Sequence, residues 1–186
     1  MSAFVDACRV EQDAMQDIIP FLEKQCPRYI LTSKGRLSKE LQMQYGDAIA
    51  QTHNGKVVAI EFKAEQKNKH GNLFLETWSN RSRFTPGWMY NLNADMLLYY
   101  FLKPRGMVTM SFPALRKWAF HSRNIYRYPE LEQNKRDQKN DTWGRCVPIS
   151  ALVNHKDIKA KVYLFNGDPG EAIEADFLPI CEDGND

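Results

Sequence analysis

Asp47, Glu61 and Lys63 are the residues of this 186-residue chain whose types and spacing could do chemistry. They fall within "YGDAIAQTHNGKVVAIEFKAEQ", residues 45 to 66, a stretch that otherwise reads as buried sheet. Asp47 enters one apolar run, and Glu61 and Lys63 close the next. An unpaired buried charge costs several kcal/mol, so charges in such positions need a purpose. Glu61 and Lys63 are two apart, and both side chains leave the same face of one strand. Two carboxylates and an amine together form a donor set for phosphate chemistry. Mg²⁺ takes oxygen ligands, typically one or two carboxylates with water and phosphate oxygens, and Mn²⁺ can substitute. A cation so held lowers the pKa of an attacking water and offsets transition-state charge. Lysine supplies a compact positive charge that can hold that water or a phosphate oxygen.

These groups must be positioned by a regular frame. Residues 3 to 19 predict a helix, with Phe4, Cys8, Met15, Ile18 and Leu22 on one stripe and Asp6, Asp13 and Asp17 opposite. Glu11 breaks that pattern by pointing with the apolar stripe, and Pro20 is expected to end or kink the helix. A weaker helical stretch spans 38 to 44. "GDAIAQT" and "KVVAIEFKAE" are strand-like, and His53, Asn54 and Gly55 between them signal a tight hairpin. A two-residue turn on Asn54-Gly55 sets Glu61 near Ala48. Bringing Asp47 alongside Glu61 then requires a bulge or a longer turn.

Further along, residues 72 to 78 predict a third strand. Thr85-Pro86 predicts the N-cap and first turn of a short helix, and "DMLLYYFL" a buried fourth strand. "MVTMSF" reads as a strand, Pro113 opens a helix through Arg123, residues 126 to 145 read as an exposed loop, and "KAKVYLF" as a late strand. The class is α/β or α+β with a mixed sheet, one domain over residues 1 to 167 and an acidic segment from 168 to 186.

Asp47 followed by Glu61-x-Lys63, on a hairpin preceded by a helix bearing Glu11, resembles the PD-(D/E)XK nuclease superfamily. The order helix, three strands, helix, strand is similar to that superfamily's core, and the likeness spans roughly residues 3 to 102. It implies a restriction-endonuclease-like fold, order αβββαβ with C-terminal additions, and a Mg²⁺-dependent DNA endonuclease. Asp47, Glu61 and Lys63 would be catalytic with Glu11 assisting, and the metal would lie on Asp47, Glu61 and Phe62. A glutamate on the first helix resembles the subset containing Holliday-junction resolvases, which makes branched DNA the substrate of interest and a homodimer the expected partner state. The "FLETWSN" run also resembles small nuclease-like proteins encoded by bacteriophages. Gly46 stands where many members have proline. E-x-K alone carries little weight, and the alternative is an exposed cross-strand pair at a sheet edge. At the level of function, the alternative is a non-catalytic protein that binds nucleic acid or a partner on the same fold.

Other residues extend the nucleic-acid reading. Glu76 alternates with Phe74 and Trp78 on the expected third strand, as a further metal-site acid or an edge charge. Trp78, Ser79, Asn80, Arg81 and Arg83 together offer stacking, hydrogen bonds and phosphate contact. Between Lys103 and Arg145 ten Lys or Arg face only four acids, with aromatic residues interleaved. Arg116, Lys117 and Arg123 in that region are candidate phosphate contacts, and Lys117 and His121 fall four apart on one helix side.

Composition bounds the rest. Net charge is +2, but residues 168 to 186 hold seven acids and no Lys or Arg, which leaves +9 on residues 1 to 167. A basic body points to an anionic partner, and the acidic end to a solvated segment. Cys8, Cys26, Cys146 and Cys181 lack C-x-x-C spacing, and the four histidines are scattered, so neither a zinc site nor a Ser/His/Asp triad is expected. Reduced, mostly buried thiols and an acidic first segment without a signal pattern point to the cytoplasm, that of the host if phage-encoded. No run approaches the roughly 20 apolar residues of a membrane span.

Overall fold

A computed structural model describes residues 3–32, 38–133 and 141–181. The elements in order are α1 (Ala3–Gln25), β1 (Arg28–Leu31), α2 (Ser38–Tyr45), β2 (Ala48–Gln51), β3 (Val57–Lys67), β4 (Asn72–Asn80), β5 (Thr85–Pro86) and α3 (Trp88–Asn91). They continue with β6 (Met96–Lys103), β7 (Gly106–Ser111), α4 (Phe112–Ala119), α5 (Ser122–Arg127), β8 (Glu130–Glu132), β9 (Trp143–Pro148), α6 (Ile149–Val153), β10 (Lys161–Phe165) and β11 (Ala172–Ala175). Seven strands form a central mixed sheet in the order β1-β2-β3-β6-β7-β10-β11, and four form a second sheet, β5-β4-β9-β8. Within the central sheet β3 and β6 run parallel, and the other neighbours are antiparallel.

Period-two alternation divides the core in two. Val58, Ile60 and Phe62 of β3, with Leu98 and Tyr100 of β6, pack against Ala14, Ile18, Phe21 and Leu22 of α1. Leu97, Tyr99 and Phe101 of β6 face the other way, onto Leu73 and Leu75 of β4, Met89 of α3, Phe112 and Leu115 of α4 and Val147 of β9. The central sheet is thus covered on both faces, as a strand pair reading as near-continuous apolar sequence requires. The result is a mixed α/β architecture with a central mixed sheet flanked by helices.

Several expectations change in the folded chain. The stretch at 72 to 78 does become a strand, but β4 belongs to the second sheet; the third strand beside the β2–β3 hairpin is β1. Strand β1 is short, lies at the sheet edge and leaves Ile30 69% exposed, so it carries no apolar alternation to read. Helix α1 runs past Pro20 to Gln25. A mid-helix proline removes one hydrogen bond, at a cost of about 3 kcal/mol, but the burial of Phe21, Leu22 and Cys26 beyond it offsets that cost. Thr85-Pro86 is the strand β5 and Gly87 caps α3. The helix opened by Pro113 stops at Ala119 and restarts as α5. The expected loop at 126 to 145 contains β8 and the start of β9, with residues 134–140 outside the described chain. The acidic segment supplies β11, which pairs with β10, and buries Leu178. Cys146 is exposed and Cys181 partly so, unlike buried Cys26. The side chains of Phe4, Asp6 and Cys8 lie outside the described residues.

Asp17 is the largest departure from the helical pattern. Periodicity sets it on the polar side of α1, yet it is 4% exposed. It survives there because it is saturated with donors: the Tyr100 hydroxyl, and Arg105 through Nη2 at 2.7 Å and Nε at 3.1 Å. Arg105 also donates to the Gly167 carbonyl at 3.1 Å, tying α1, β6 and the loop after β10 together. Burial, followed by the neighbouring carboxylate, raises the Tyr100 phenol above its ordinary range. Because the Arg105 side chain is 41% exposed, its share of the pairing is discounted for solvent. Asp17→Ala should therefore cost about 2–3 kcal/mol, measured by urea denaturation, by leaving a buried hydroxyl unpartnered. A cost below a few tenths would show that the cluster contributes nothing.

Candidate active site

The hairpin turn decides the site. Thr52 N–H donates to the Lys56 carbonyl and Gly55 N–H to the Thr52 carbonyl, both at 2.8 Å, with Gly55 at φ +81°. This is a three-residue connection over His53, Asn54 and Gly55, in which a glycine takes the left-handed position. The Asn54 side chain reinforces it by accepting from Thr52 Oγ1 at 2.5 Å. The extra turn residue moves the register by one: Ala48 lies opposite Ile60, Ile49 opposite Ala59 and Ala50 opposite Val58. Asp47, one step before Ala48, is a bend outside this ladder, and its carboxylate adjoins that of Glu61.

Asp47 is then fixed by its own backbone and carboxylate. Its N–H donates to the Ile60 carbonyl at 2.8 Å, and its Oδ2 accepts the Phe62 N–H at 2.9 Å. Gln42 of α2 donates to Oδ1 at 3.3 Å. Gly46 precedes it at φ +73°, a conformation closed to proline, whose ring locks φ near −65°. A Cβ at Gly46 would also meet the Ile60 carbonyl oxygen at 2.7 Å and Glu61 Oε2 at 3.1 Å. Glycine is thus required here both for its dihedral and for the room it leaves the glutamate. The Ile60 carbonyl and the Phe62 N–H both point toward β2, so by strand alternation the Phe62 carbonyl points there too, beside Asp47.

Glu61 is 7% exposed and accepts a hydrogen bond from Lys63 Nζ at 2.5 Å. Burial pushes its carboxyl up to about 7; Lys63 opposes the rise, and the adjoining Asp47 carboxylate adds to it. Burial works to discharge Lys63, but the Glu61 carboxylate, joined by Asp47 and Glu11, outweighs it and holds the ammonium above its ordinary value. The Lys63 side chain keeps 28% of its surface open, and its ammonium lies 5.8 Å from the centre of the Trp88 ring. The Glu61–Lys63 pair is therefore no freely solvated edge pair.

Glu11 is exposed, yet it shares with Asp47, Phe62 and Lys63 the lining of a small cavity of about 80 Å³. Glu76 of β4 is half-buried; burial raises its carboxyl, while Lys63 and the Trp88 N–H pull the other way. It lies within the field of Lys63, across the gap between the two sheets. Asp47, Glu61, Lys63, Glu11 and Glu76 are thus brought into one neighbourhood. Among the described residues no group of three or more His, Cys, Asp or Glu side chains is close enough to hold a metal ion. The oxygen set available to a hard cation is the Asp47 and Glu61 carboxylates with the Phe62 carbonyl beside them.

The remaining candidates lie elsewhere. Trp78 packs against Tyr90 at 6.1 Å, and Asn80 accepts the Arg83 N–H at 3.0 Å, building the turn after β4. Arg81 stacks 4.3 Å over Trp143, and Arg83 is exposed at the same tip. Arg116 is not free to meet phosphate. It is half-buried, donates to the Leu92 carbonyl and stacks 4.6 Å over Phe112, and burial lowers its pKa. Lys117 and Arg123 are exposed but line a separate cleft.

Trp88, Gln42 and Gly46 are site residues that the sequence pattern did not reveal. Only the required proline-free, positive-φ step before Asp47 left any trace, as a glycine at that position. Glu65, two beyond Lys63, continues the row of charges and accepts the hydroxyl of fully buried Tyr99. No protein-family model, curated protein or solved structure matches the chain.

Glu61 gives a pH test. Its folded value near 7 exceeds the ordinary glutamate value, so the folded chain holds a proton that the unfolded chain releases. That contribution to stability is present below about pH 4.5 and is lost as pH rises to about 7. Glu61→Gln should remove this slope, leaving the variant about 1–3 kcal/mol more stable than the parent at pH 8. Urea titrations of both proteins across that window measure it, and parallel curves would show that Glu61 ionises normally.

Proposed function

We propose that this protein is a metal-dependent deoxyribonuclease that hydrolyses phosphodiester bonds. The observation that carries the reading is the closeness of the Asp47 and Glu61 carboxylates, with Lys63 at 2.5 Å from Glu61. Two adjacent carboxylates, one buried and held up to about 7, form an arrangement that repels itself until a cation or proton joins it. The donor set fits a hard divalent cation, with Asp47, Glu61 and the Phe62 carbonyl as its holders. Bound there, Mg²⁺ or Mn²⁺ would supply a water of lowered pKa and offset the charge gathering on phosphate.

The chain's own residues divide the remaining work. Glu61, Asp47 and Glu11 keep Lys63 protonated, so its role is to donate hydrogen bonds at neutral pH. One of its three N–H bonds goes to Glu61, and the others can hold the water or a non-bridging phosphate oxygen. The Trp88 face limits where the ammonium can swing. Glu76 and Glu11 add negative potential that helps recruit the cation from either side. The likeness to PD-(D/E)XK nucleases supports the same roles, with branched DNA as a substrate and a homodimer as the form that cuts both strands.

The non-catalytic alternative, a nucleic-acid- or partner-binding protein on this fold, gains from the lack of a third metal-capable side chain among the described residues. Cleavage separates the two. Supercoiled plasmid, linear duplex, single-stranded and four-way-junction DNA are incubated with protein and Mg²⁺, Mn²⁺ or EDTA. Cutting is expected with either metal and none with EDTA, and Glu61→Gln or Lys63→Ala should slow it about a hundredfold or more. If no substrate is cut, or if both variants cut like the parent, the enzymatic reading is wrong.

A further inference from the structure

A wide cleft lies away from Asp47 and Glu61, where α4, α5 and α6 meet, and has a volume of about 890 Å³. Its charge is one-sided. Lys117, Arg123 and Arg127 are exposed along it, His121 and His155 join them, and among the described residues Asp157 is the one acid in its wall. Its aromatic content is equally concentrated. The Trp118 ring lies 5.6 Å from Tyr128 and 6.2 Å from His155 in an edge-to-face contact. Arg127 lies 5.5 Å from the Tyr128 ring. His155 Nδ1 accepts the Asp157 N–H at 3.4 Å, which leaves the ring proton on Nε2, a donor available to the cleft.

The walls are held in place. Asn124 donates to the Trp118 carbonyl at 2.8 Å and fixes the corner between α4 and α5. Buried Arg145 donates to the Tyr128 carbonyl at 2.6 Å and the Ile125 carbonyl at 3.2 Å, and pairs with Glu130 at 3.5 Å. A buried arginine thus holds the aromatic wall from behind. Tyr126, on the same short helix, is 87% exposed.

From this combination we infer that the cleft is a binding site for single-stranded nucleic acid, distinct from the Asp47–Glu61–Lys63 cluster. Cations set beside ring faces match a ligand that offers phosphates and unstacked bases together. A duplex hides its base faces, so it would use the cations and leave the rings idle. The volume falls within the range of about 300–1,000 Å³ that encloses a ligand of nucleotide size. Lys117, Arg123 and Arg127 contact phosphates, and Trp118 and His155 stack with bases. This second surface rests on the nucleic-acid half of the functional reading, and binding to it does not depend on cleavage.

The test uses the full chain in EDTA, so that nothing is cut. Fluorescence anisotropy follows labelled oligothymidylate and oligouridylate of about twelve nucleotides, and a duplex of the same length. Titrations are run at about 50 and 200 mM salt. Either single strand should bind at least tenfold more tightly than the duplex. The double variant Lys117→Glu/Arg127→Glu should weaken binding tenfold or more and flatten the salt slope by about 0.7 for each phosphate no longer neutralised. His155→Ala should weaken it severalfold without changing that slope, and Lys24→Glu, the same charge reversal away from the cleft, should change nothing. Thermal melts confirm that each variant is folded. Equal or tighter duplex binding, indifference to the double variant, or displacement by polyglutamate as readily as by oligonucleotide overturns the inference. A protein that binds single strands but never cuts overturns the nuclease reading alone.

Discussion

The register of one hairpin carries the candidate site. A two-residue turn at Asn54-Gly55 would set Ala48 against Glu61 and leave Asp47 beyond it. The three-residue turn closed by Thr52 and Lys56 sets Ala48 against Ile60. A slip of one residue would also move the entire apolar set of β3 to the wrong face, so core and site are specified by the same choice. Val58, Ile60 and Phe62 hold that choice from the α1 side, where their burial strongly favours one register. Asp47 then locks it locally, because its carboxylate takes the Phe62 N–H just before β2 begins. The same side chain thus caps the strand and faces Glu61.

The surrounding elements set the electrostatics. Glu61 and Lys63 leave the face of β3 that looks toward α3 and β4, where water is scarce and Trp88 and Glu76 close the space. Burial there raises the cost of Glu61's charge, and the neighbouring Asp47 raises it further; a single lysine only partly offsets both. Lys63 meanwhile collects the fields of three acids and stays charged. A structural ion pair would be arranged with equal numbers of opposite charges and full hydrogen bonding, as Asp17, Arg105 and Tyr100 are on the other side of the sheet. The two clusters in this one molecule therefore differ in kind. One is balanced, while the other has an excess of acid, and its Asp47 and Lys63 line a small cavity with Glu11.

Much of the frame was legible because it follows period and turn chemistry. The β2–β3 hairpin, β6, β7, β10 and the helices α1, α2 and α4 all carry patterns that burial explains. What was not legible depends on tertiary placement. Strand β4 alternates like any half-buried strand, and nothing in its residues says which sheet it joins. Strand β1 has its apolar Ile30 turned outward. Asp17 reads as a polar-face acid until Tyr100 arrives from β6 and Arg105 from the turn after it. The proximity of Asp47, Glu61 and Lys63 was readable as misplaced charge, but the turn that aligns them was not, since His-Asn-Gly admits both two- and three-residue closures. Arg116 shows the opposite error: a cation in a basic run turns out to clamp α4 to the end of α3.

Arg116 also explains how the two surfaces of α4 come to differ. Phe112 and Arg116 are four apart and face α3, where Phe112 touches Trp88 at 5.9 Å and Trp88 in turn faces Lys63. Lys117 and Trp118, one and two steps further round, face the cleft with His121 just past the helix end. One short helix therefore buttresses the Lys63 wall on one side and lines a basic, aromatic groove on the other. Between the groove and Lys63 lie the body of α4 and the Trp88 ring of α3. Phe112 and Arg116 are both anchored on the α3 side, so the packing that steadies the Lys63 wall also fixes the helix that presents Lys117 and Trp118 to the groove.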